Sequence, residues 1–312
     1  MARIEALAPD LILIDTGYQN TPQAIGAYLL LGERPALVEA GPASTVETVL
    51  DGLRAAGLDP RDLQAVAVTH IHLDHAGAVG ALVQRIPHLD IYVHPVGAPH
   101  LIDPSRLVAS ARRLFREPFD ALFGTTIPVP VERVRVLEDD AHVTLGSRRL
   151  IALDTPGHAR HHFAYFDEAS GDLFTGDVAG VALPGLRYVR APTPPPDFDL
   201  EVWRSSLGRL RALQPRRLLL THFGPHDWAN ELLEELDARL QAMVQIAREV
   251  IAAGLDGDAL TARLQEAALK ELKKALGSDP RFWAQYEVIM PTYQSSLGLI
   301  RYIRKTAAPA AP

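Results

Sequence analysis

The sequence of 312 residues predicts an α/β fold with a helical extension at its C-terminal end. Short apolar runs typical of buried strands recur between residues 11 and 220, and segments of helical periodicity separate them. Several of these runs lead directly, or through a short turn, into a histidine or an aspartate. Beyond residue 222 the apolar positions recur only at helical spacing. The chain is therefore predicted to place a sheet-based domain before a purely helical region.

Predicted strands and helices alternate in the first part of the chain. Strands are predicted at residues 11–14, 27–31, 36–39, 64–68 and 90–93, and helices at residues 44–56 and 79–83. Ser44 can cap the first of these helices. Pro104 and Pro118 interrupt residues 96–124, so only short helices are expected there.

The central part of the chain is predicted to form a meander of three strands, followed by a strand pair. The strands are expected at residues 134–136, 142–145 and 149–153, and the pair at residues 163–166 and 173–175. The connection 182–198 is rich in proline and glycine, which favours either a lid or pocket wall, or a plain crossover loop. A helix at 199–213 and a strand at 217–220 complete this part.

Everything beyond His222 is predicted to be helical, and Pro291 is expected to kink or split the last helix. Four large side chains share one face of that helix: Trp283, Tyr286, Met290 and Tyr293. We interpret this face first as core, second as a contact within a homodimer, and third as a cover over a site. We predict a domain of residues 1–225, a helical extension of residues 226–306 and a flexible tail of residues 307–312.

Composition and charge favour a soluble domain and argue against a nucleic-acid-binding, disulfide-bonded or membrane protein. The chain is 47% hydrophobic and 22% charged, as ordinary soluble domains are, and its net charge of −7 comes without a long basic run. Nucleic acid is therefore not an expected partner. The absence of cysteine excludes disulfides and thiolate ligands. The N-terminal residues lack the apolar core of a signal peptide, and no apolar run could cross a membrane, so we expect a cytoplasmic protein without a membrane partner.

Residues 69–77 hold four potential metal ligands, directly after an apolar run. His70 and His72 are two residues apart, so on an extended chain they point to the same side. Asp74 and His75 are adjacent and point in different directions, so they could serve a second ion. Neutral imidazole and carboxylate are ligands that zinc, iron and manganese accept.

Three further ligand candidates follow apolar, strand-like runs later in the chain. His158 follows the run 150–153 through a short turn, Asp177 follows 172–176, and His222 follows 217–220. If the equivalent ends of these strands lie together, five histidines and two aspartates meet at one edge. The sequence therefore predicts a centre that could hold metal ions.

The ligand series resembles that of the metallo-β-lactamase fold superfamily over roughly residues 11–222. The first cluster has the pattern His-x-His-x-Asp-His, and Pro-Gly-His, Gly-Asp and Thr-His follow in the same order. The resemblance implies a four-layer αββα sandwich with a two-metal site at the sheet edges. It implies these ligands: His70, His72 and His158 for one ion, Asp74, His75 and His222 for the other, and Asp177 bridging the two.

Such a centre is expected to cleave an ester, a thioester or a lactone of small-molecule size. The two divalent ions, zinc first and iron or manganese as alternatives, would lower the pKa of a bridging water, and the resulting hydroxide would attack the substrate carbonyl. Asp74 and Asp177 are the predicted catalytic residues, because Asp74 can accept a hydrogen bond from that hydroxide and Asp177 would hold both ions.

Within the superfamily the chain most resembles the glyoxalase II-like branch, with departures. That branch often has Gly-His-Thr-x-Gly-His at the third motif, whereas residues 157–162 here read Gly-His-Ala-Arg-His-His. Glyoxalase II proper carries Cys-Gly-His-Glu at the last ligand, whereas residues 221–224 read Thr-His-Phe-Gly. We therefore expect a generic metallohydrolase rather than glyoxalase II itself. The bridging Asp177 argues against a true β-lactamase.

Three other functions stay open. An iron-dependent persulfide dioxygenase has a similar motif series but would use one iron, held by His70, His158 and Asp177. A phosphodiesterase or ribonuclease could use the same metal centre. A non-catalytic metal-binding module could recruit a partner through the helical extension. The number and type of bound metal ions separates the first of these from a two-metal hydrolase.

Five residues near the motifs are candidates for supporting roles. Either His162 or His226 is predicted to hydrogen-bond a ligand or a substrate oxygen. Tyr188 and Arg190 could contact an anionic substrate group, or they could simply pack or face solvent. Glu39 stands where the superfamily often has the aspartate of an Asp-x-Gly turn, and a structural role is sufficient for it.

Overall fold

A computed structural model of the chain describes residues 2–115, 118–276 and 280–307. Two β-sheets pack face to face, and helices cover the outer face of each sheet. This arrangement confirms the predicted αββα sandwich with a helical C-terminal region. No helix in the described part of the chain has the length and apolar character that a membrane span requires.

The first sheet contains seven strands in sequence order, so each strand pairs with the next along the chain. They are β1 (Arg3–Ala8), β2 (Leu11–Asp15), β3 (Gly26–Leu30), β4 (Ala36–Val38), β5 (Ala65–Ala67), β6 (Asp90–Val93) and β7 (Val134–Val136). Pairing is antiparallel from β1 to β4 and parallel from β4 to β7. The parallel half delivers the end of β5, and with it the histidine cluster, to one edge of the sheet.

Short helices lie between the strands of the first sheet along the chain. They are α1 (Val46–Ala55), α2 (Leu73–Ala76), α3 (Val79–Arg85), α4 (Ala98–Ile102), α5 (Ser105–Arg112) and α6 (Phe119–Phe123). Among them, α1, α3 and α4 cover the outer face of the sheet. Val49 and Leu53 of α1 and Leu82 of α3 share one buried cluster with Ile14 and Val66 of the sheet. This apolar burial is the main source of stability for that layer.

The second sheet contains six strands, in the order β13-β12-β11-β10-β9-β8. They are β8 (Ala141–Leu145), β9 (Arg148–Asp154), β10 (Phe163–Asp167), β11 (Asp172–Gly176), β12 (Arg217–Leu220) and β13 (Gly224–His226). Only β11 and β12 run parallel, and α7 (Leu200–Ala212) makes the crossover between them. The ends of β11 and β12 therefore lie side by side, just before Asp177 and His222.

The inner faces of the two sheets form a common core. Tyr28 of the first sheet packs edge-on against Phe174 of the second, with ring centroids 5.3 Å apart, and its hydroxyl donates to the carbonyl of Leu220 at 2.6 Å. Near the ligands, the main-chain N–H of Phe163 donates to the carbonyl of Thr69 at 2.7 Å. These contacts fix the edges of the two sheets against each other where the candidate site lies.

The C-terminal region consists of α8 (Ala229–Ala252), α9 (Gly257–Leu276), α10 (Pro280–Ile289) and α11 (Thr292–Ala307). Leu236, Leu264 and Leu299 from three of these helices share one buried cluster with Trp203 of α7 and Leu173 of β11. The helical region therefore packs on the second sheet of the sandwich. Residues 308–312, which make up most of the predicted tail, lie outside the described residues.

Several predictions about single elements were wrong. The segment 134–136 is not part of a meander, because β7 pairs with β6 in the first sheet while β8 and β9 belong to the second. The chain beyond His222 is not wholly helical, since β13 pairs with β12 and ends one residue past the predicted boundary at 225. Strand β1, largely exposed, was not predicted. Pro291 does separate two helices, as predicted.

Candidate metal centre

All seven predicted ligand residues meet where the edges of the two sheets come together. His70, His72, Asp74 and His75 follow β5 in the first sheet. The other three follow β9, β11 and β12 in the second sheet. The sheets place them together because β5 and these strands end on the same side of the sandwich.

Glycines precede two of these residues where the backbone must pass close to its neighbours. Gly157, before His158, has φ +130°, and a Cβ there would lie 2.3 Å from Cα of Trp203. Gly176, before Asp177, has φ +49°, and a Cβ there would lie 2.3 Å from Oγ1 of Thr69. Only glycine adopts such conformations without strain and leaves room for these contacts.

The first cluster contains His70, His72 and His158. Nδ1 of His72 lies 2.9 Å from Nε2 of His70 and 3.0 Å from Nε2 of His158. Nε2 of His158 also lies 3.2 Å from Oδ2 of Asp177. Three nitrogen atoms and one carboxylate oxygen therefore point at a common centre.

The second cluster contains Asp74, His75 and His222. Nε2 of His222 lies 3.3 Å from Nε2 of His75. Oδ2 of Asp74 lies 3.6 Å from Nε2 of His75 and 3.5 Å from Nε2 of His222. Oδ1 of Asp177 lies 3.2 Å from each of the two histidine nitrogens. The two oxygens of Asp177 thus face different clusters.

Hydrogen bonds on the outer side of the rings hold four histidines with Nε2 directed at the clusters. Nδ1 of His158 lies 2.9 Å from the carbonyl of Pro192, and Nδ1 of His222 lies 2.8 Å from the carbonyl of Ala24. A carbonyl can only accept, so Nδ1 carries a proton in both rings, and Nε2 is the nitrogen that remains to bind an ion. His70 and His75 are held in the same way, through Thr69 and Glu39.

Glu39 is a buried carboxylate that accepts hydrogen bonds from three side chains at the candidate site. Its Oε1 accepts from Oγ1 of Thr69 at 2.6 Å, Nδ1 of His75 at 2.8 Å and Oγ1 of Thr221 at 3.1 Å. Because Thr69 donates to Glu39, its hydroxyl oxygen is free to accept from Nδ1 of His70, 3.0 Å away. Glu39 lies near His70 and His75, but its acceptor positions are filled and it faces the outer nitrogen of His75. We therefore interpret it as a positioning carboxylate rather than a ligand.

The two clusters differ in their preferred charge. Burial lowers the pKa of His70, His72 and His158, and that of His72 falls to about 4. Burial also opposes the charged form of His222, but the carboxylates of Asp177 and Asp74 outweigh it and raise its pKa to about 9. At pH 7 the first cluster is therefore neutral in the absence of a metal ion.

The second cluster is charged because its carboxylates and imidazoles stabilise one another. Burial opposes ionisation of His75, yet the charges of Asp177, Glu39 and Asp74 raise its pKa well above the usual value. Burial would likewise raise the pKa of Asp74, but the neighbouring His75 and His222 lower it to about 2. The same histidines, with His158, hold the pKa of Asp177 well below its usual range. A divalent ion could take the place of these protons.

The donor set fits metal ions. Ligands placed about 2.0–2.2 Å from a tetrahedral zinc lie about 3.3–3.6 Å from one another, close to the separations within each cluster. Oδ1 of Asp177 is buried and has no hydrogen-bond partner among the described residues, although two histidine nitrogens lie 3.2 Å away. A cation between these atoms would satisfy them all.

A cavity of about 450 Å³ opens onto both clusters. Five of the candidate ligands line one of its walls: His72, Asp74, His158, Asp177 and His222. The rest of the lining is mostly apolar and comes from α5, α6, α10 and the connection 192–195. A substrate in this cavity would have direct access to the candidate metal centre.

His162 contacts the candidate site, whereas His226 does not reach it. Nε2 of His162 accepts from the main-chain N–H of Asp177 at 3.1 Å, and its Nδ1 lies 2.8 Å from Oγ1 of Thr155. His226 instead donates to the carbonyl of Ala182 at 3.0 Å and accepts from the indole of Trp228 at 3.2 Å. His226 therefore supports the loop structure beyond β12.

Tyr188 and Arg190 pack against the C-terminal helices and are not among the residues that line the cavity. The Tyr188 hydroxyl donates to the carbonyl of Ala268 at 3.3 Å. Arg190 is 7% exposed, pairs with Glu287 at 3.2 Å and donates to Oγ1 of Thr292 at 2.8 Å. This agrees with the packing alternative and leaves neither side chain available to a substrate.

The aromatic face of the last helices serves both as core and as cover. Tyr286 and Met290 are buried in one cluster with Val181 and Tyr188. Met290 also lines the cavity beside the candidate metal centre. The connection 182–198 contributes Pro192 and its neighbours to the same wall. The last helices and the connection 182–198 therefore both form part of the cavity wall beside the candidate site.

Comparisons with known proteins agree with this geometry. The family model of the metallo-beta-lactamase superfamily matches residues 10–222. The metallo-beta-lactamase fold-containing protein ST1585 of Sulfurisphaera tokodaii is 26% identical over 269 residues, which cover 84% of this chain and 97% of that protein. A hydroxyacylglutathione hydrolase of Vibrio cholerae is 28% identical over 233 residues, covering 64% of this chain and 77% of the relative.

A solved structure supports the fold over nearly the whole chain. The metallo-beta-lactamase family protein TTHA1429 from Thermus thermophilus superposes with a TM-score of 0.73 and 24% identity, covering 97% of this chain and 96% of that one. The superposition therefore extends over the C-terminal helices as well as the sandwich.

Proposed function

From the premise that this chain belongs to the metallo-beta-lactamase superfamily, we propose that it is a two-metal hydrolase of an ester, thioester or lactone. The observation that carries the proposal is the position of Asp177, whose two oxygens face two separate clusters of nitrogen atoms. A carboxylate in this position is suited to bridge two cations. The similarity to hydroxyacylglutathione hydrolases supports hydrolysis as the reaction class.

The proposed ligands are the seven side chains of the two clusters. One ion would be held by His70, His72 and His158, the other by Asp74, His75 and His222, and Asp177 would be shared. Zinc is the first choice because imidazole and carboxylate are its common ligands, and iron or manganese accept the same donors. Two such ions supply a water of lowered pKa and polarise the carbonyl oxygen of the substrate.

The chain's own residues would orient the reaction. Asp74 has a side chain that is 25% exposed and lies in the cavity wall, so it can accept a hydrogen bond from the attacking water. That bond turns the oxygen lone pair towards the substrate carbonyl carbon, which would become tetrahedral as the new C–O bond forms. The acyl bond to the oxygen or sulfur of the leaving group would then break, and the alcohol or thiol would leave with a proton that the attacking water has lost. His158 and His222 stay fixed through their outer hydrogen bonds to main-chain carbonyls.

The lining of the cavity disfavours a nucleic-acid or nucleotide substrate. None of the described residues that line it is a lysine or an arginine. Phosphate groups that lie beyond the reach of the metal ions bind chiefly through such cationic side chains. A neutral ester, thioester or lactone of small-molecule size fits this environment better than a phosphodiester does.

The proposal is tested by metal analysis together with a substrate panel. Protein purified without chelator should contain two divalent ions per chain and cleave members of a panel of 4-nitrophenyl esters, acyl thioesters and lactones. Asp177→Asn should lose both metal content and activity, while His142→Ala, which changes an exposed histidine on β8, should keep both.

Three outcomes would contradict the proposal. One iron per chain with oxygen uptake on a persulfide would indicate a dioxygenase. Cleavage of phosphodiesters alone would indicate a nuclease or phosphodiesterase. Two ions without turnover of any substrate in the panel would indicate a non-catalytic metal-binding protein.

A further inference from the structure

The cavity beside the candidate metal centre lies between the sandwich and the C-terminal helices. On the sandwich side it is lined by Leu107 and Ala111 of α5, by Phe115, and by Leu122 and Phe123 of α6. On the side of the helical region its lining residues are Ala284, Glu287, Val288, Ile289, Met290, Pro291, Gln294 and Ser295. Apolar side chains therefore face one another across the space that leads to the metal ligands.

Contacts between main chain and side chains hold these two sides together. The hydroxyl of Tyr293 donates to the carbonyl of Leu114 at 3.1 Å. The side-chain amide of Gln285 donates to the carbonyl of Pro22 at 2.9 Å. Because these bonds cross from the helical region to the sandwich, the cavity is already formed before a ligand binds.

Arg190 contacts α10 and so holds the cavity wall that this helix forms. Its guanidinium lies over the ring of Trp283, 4.7 Å from the centroid, and pairs with the carboxylate of Glu287. Glu287 also accepts from the main-chain N–H of Thr292 at 3.1 Å. Arg190 and Glu287 therefore neutralise each other, and the wall that they support offers no cation to a substrate.

Away from the candidate metal centre, an anionic substrate group would find no counter-charge in this space. Apart from the proposed ligands, the described lining residues include the carboxylate of Glu287 and no lysine or arginine. An apolar chain needs no charged partner there. Its burial contributes roughly 0.8 kcal/mol of binding free energy for each methylene, which corresponds to about a fourfold gain in affinity. The cavity volume of about 450 Å³ is within the range of small-molecule sites.

We propose that the substrate's acyl part is an uncharged apolar chain of medium length, bound between α5, α6 and α10. This inference rests on the proposed hydrolysis, because it concerns the acyl group that such a reaction would release. Ala111, Val288 and Phe123 set the length of chain that is accepted. Since Ala111 is the smallest side chain on the sandwich side, it leaves the space that a larger residue would fill.

A chain-length series tests the proposal. The metal-loaded enzyme is assayed with 4-nitrophenyl esters of acetate, butanoate, hexanoate and octanoate, which share one leaving group. We expect kcat/KM to rise about fourfold with each methylene until the cavity is filled. A glutarate half-ester, with a terminal carboxylate, should be cleaved at least tenfold less efficiently than the pentanoate ester of equal carbon number. A flat series, or a preference for the charged chain, would overturn the proposal.

Filling the cavity should remove the preference for long chains without abolishing the chemistry. Ala111→Phe should lower the ratio of kcat/KM for octanoate to kcat/KM for acetate at least tenfold. Ala109→Phe is the matched control, because Ala109 lies on the same helix, is exposed and does not line the cavity. If Ala111→Phe fails to fold, Val288→Phe provides the same test, with the exposed Val202→Phe as its control.

A binding measurement separates failure of this inference from failure of the proposed function. Octan-1-ol should displace N-phenyl-1-naphthylamine from the wild-type protein more strongly than butan-1-ol does, and Ala111→Phe should weaken this effect at least tenfold. If no ester is cleaved but this pattern holds, the hydrolase proposal fails and the apolar site stands. If esters are cleaved but neither chain length nor Ala111→Phe matters, the acyl site fails and the hydrolase proposal stands.

Discussion

Replacing Glu39 with glutamine tests whether this buried carboxylate positions the histidines that we propose as metal ligands. Glutamine has the same size and keeps one acceptor oxygen. It loses the negative charge, and its NH₂ group must face hydrogen-bond donors. In the wild-type protein Oε1 accepts from Thr69, His75 and Thr221, and Oε2 accepts from the main-chain N–H of Thr69 at 3.3 Å.

The magnitude follows from the number of bonds that lose a charged partner. A hydrogen bond to a charged group contributes about 1.5–3 kcal/mol, and one between neutral groups about 0.5–1.5 kcal/mol. The three bonds to Oε1, each weakened by about 1 kcal/mol, therefore predict a loss of about 3 kcal/mol in the free energy of unfolding of the metal-free protein. Loss of a partner behind a metal-binding histidine typically costs about 10–100-fold in metal affinity. We expect that loss mainly in the second cluster, where Glu39 contacts His75 directly.

Denaturant unfolding and calorimetric metal titration measure the two effects separately. Asp172→Asn is the matched control, because Asp172 is equally buried and accepts from Arg148 and Arg217 far from the metal ligands. The control should lose stability and keep its metal affinity. If Glu39→Gln binds metal as tightly as the wild type, the positioning role assigned to Glu39 is refuted.

Three further predictions concern protonation and supporting contacts. Loading of the second cluster should release protons at pH 7, and its apparent metal affinity should rise with pH up to about 9, because His222 is protonated below that pKa and must lose its proton to bind. Loading of the first cluster should release almost no protons, since His72 has a pKa of about 4 and is already neutral at pH 7. Calorimetry in two buffers with different ionisation enthalpies measures the protons released on binding. Equal proton release for the two ions would contradict this prediction. Arg190→Met should destabilise the protein by about 2 kcal/mol and raise KM for long-chain esters more than for acetate; a thermal melt and KM values equal to the wild type would exclude the proposed support of α10. His162→Ala should weaken metal affinity about tenfold, whereas His226→Ala should leave it unchanged. Wild-type affinity in His162→Ala, or an equal loss in His226→Ala, would contradict these roles.

The positions of the proposed ligands could be predicted because each one follows a recognisable strand. Asp177 and His222 come directly after apolar runs and His158 follows one through a short turn, and parallel strands such as β11 and β12 bring their ends to one edge. The resemblance of the motif series added the four-layer sandwich, which apolar periodicity alone does not specify. The clustering of these side chains was therefore accessible from local patterns, and the fold from the resemblance.

Elements whose partners are distant in sequence were not accessible in this way. The segment 134–136 alternates like its neighbours, and nothing local shows that β7 pairs with β6 rather than β8. Strand β13 has only three residues, Gly-Pro-His, which is too short for any periodicity to be visible.

The surroundings of side chains that contact the helical region could not be predicted from the sequence either. Arg190 lies within the proline-rich connection 182–198, which could have faced solvent, and only the packing of α10 shows that it pairs with Glu287. The role of Glu39 depends on Thr221, which is 182 residues away. The cavity could not be predicted because residues of α5 and α10, far apart in the chain, form its opposite walls.

An anomalous difference map from metal-loaded crystals tests the central claim most directly. Two ions that share the Asp177 carboxylate should give two peaks of comparable height, about 3.5–4 Å apart, one beside His70, His72 and His158 and the other beside Asp74, His75 and His222. A single peak, or a second peak away from Asp177, would contradict the two-metal centre.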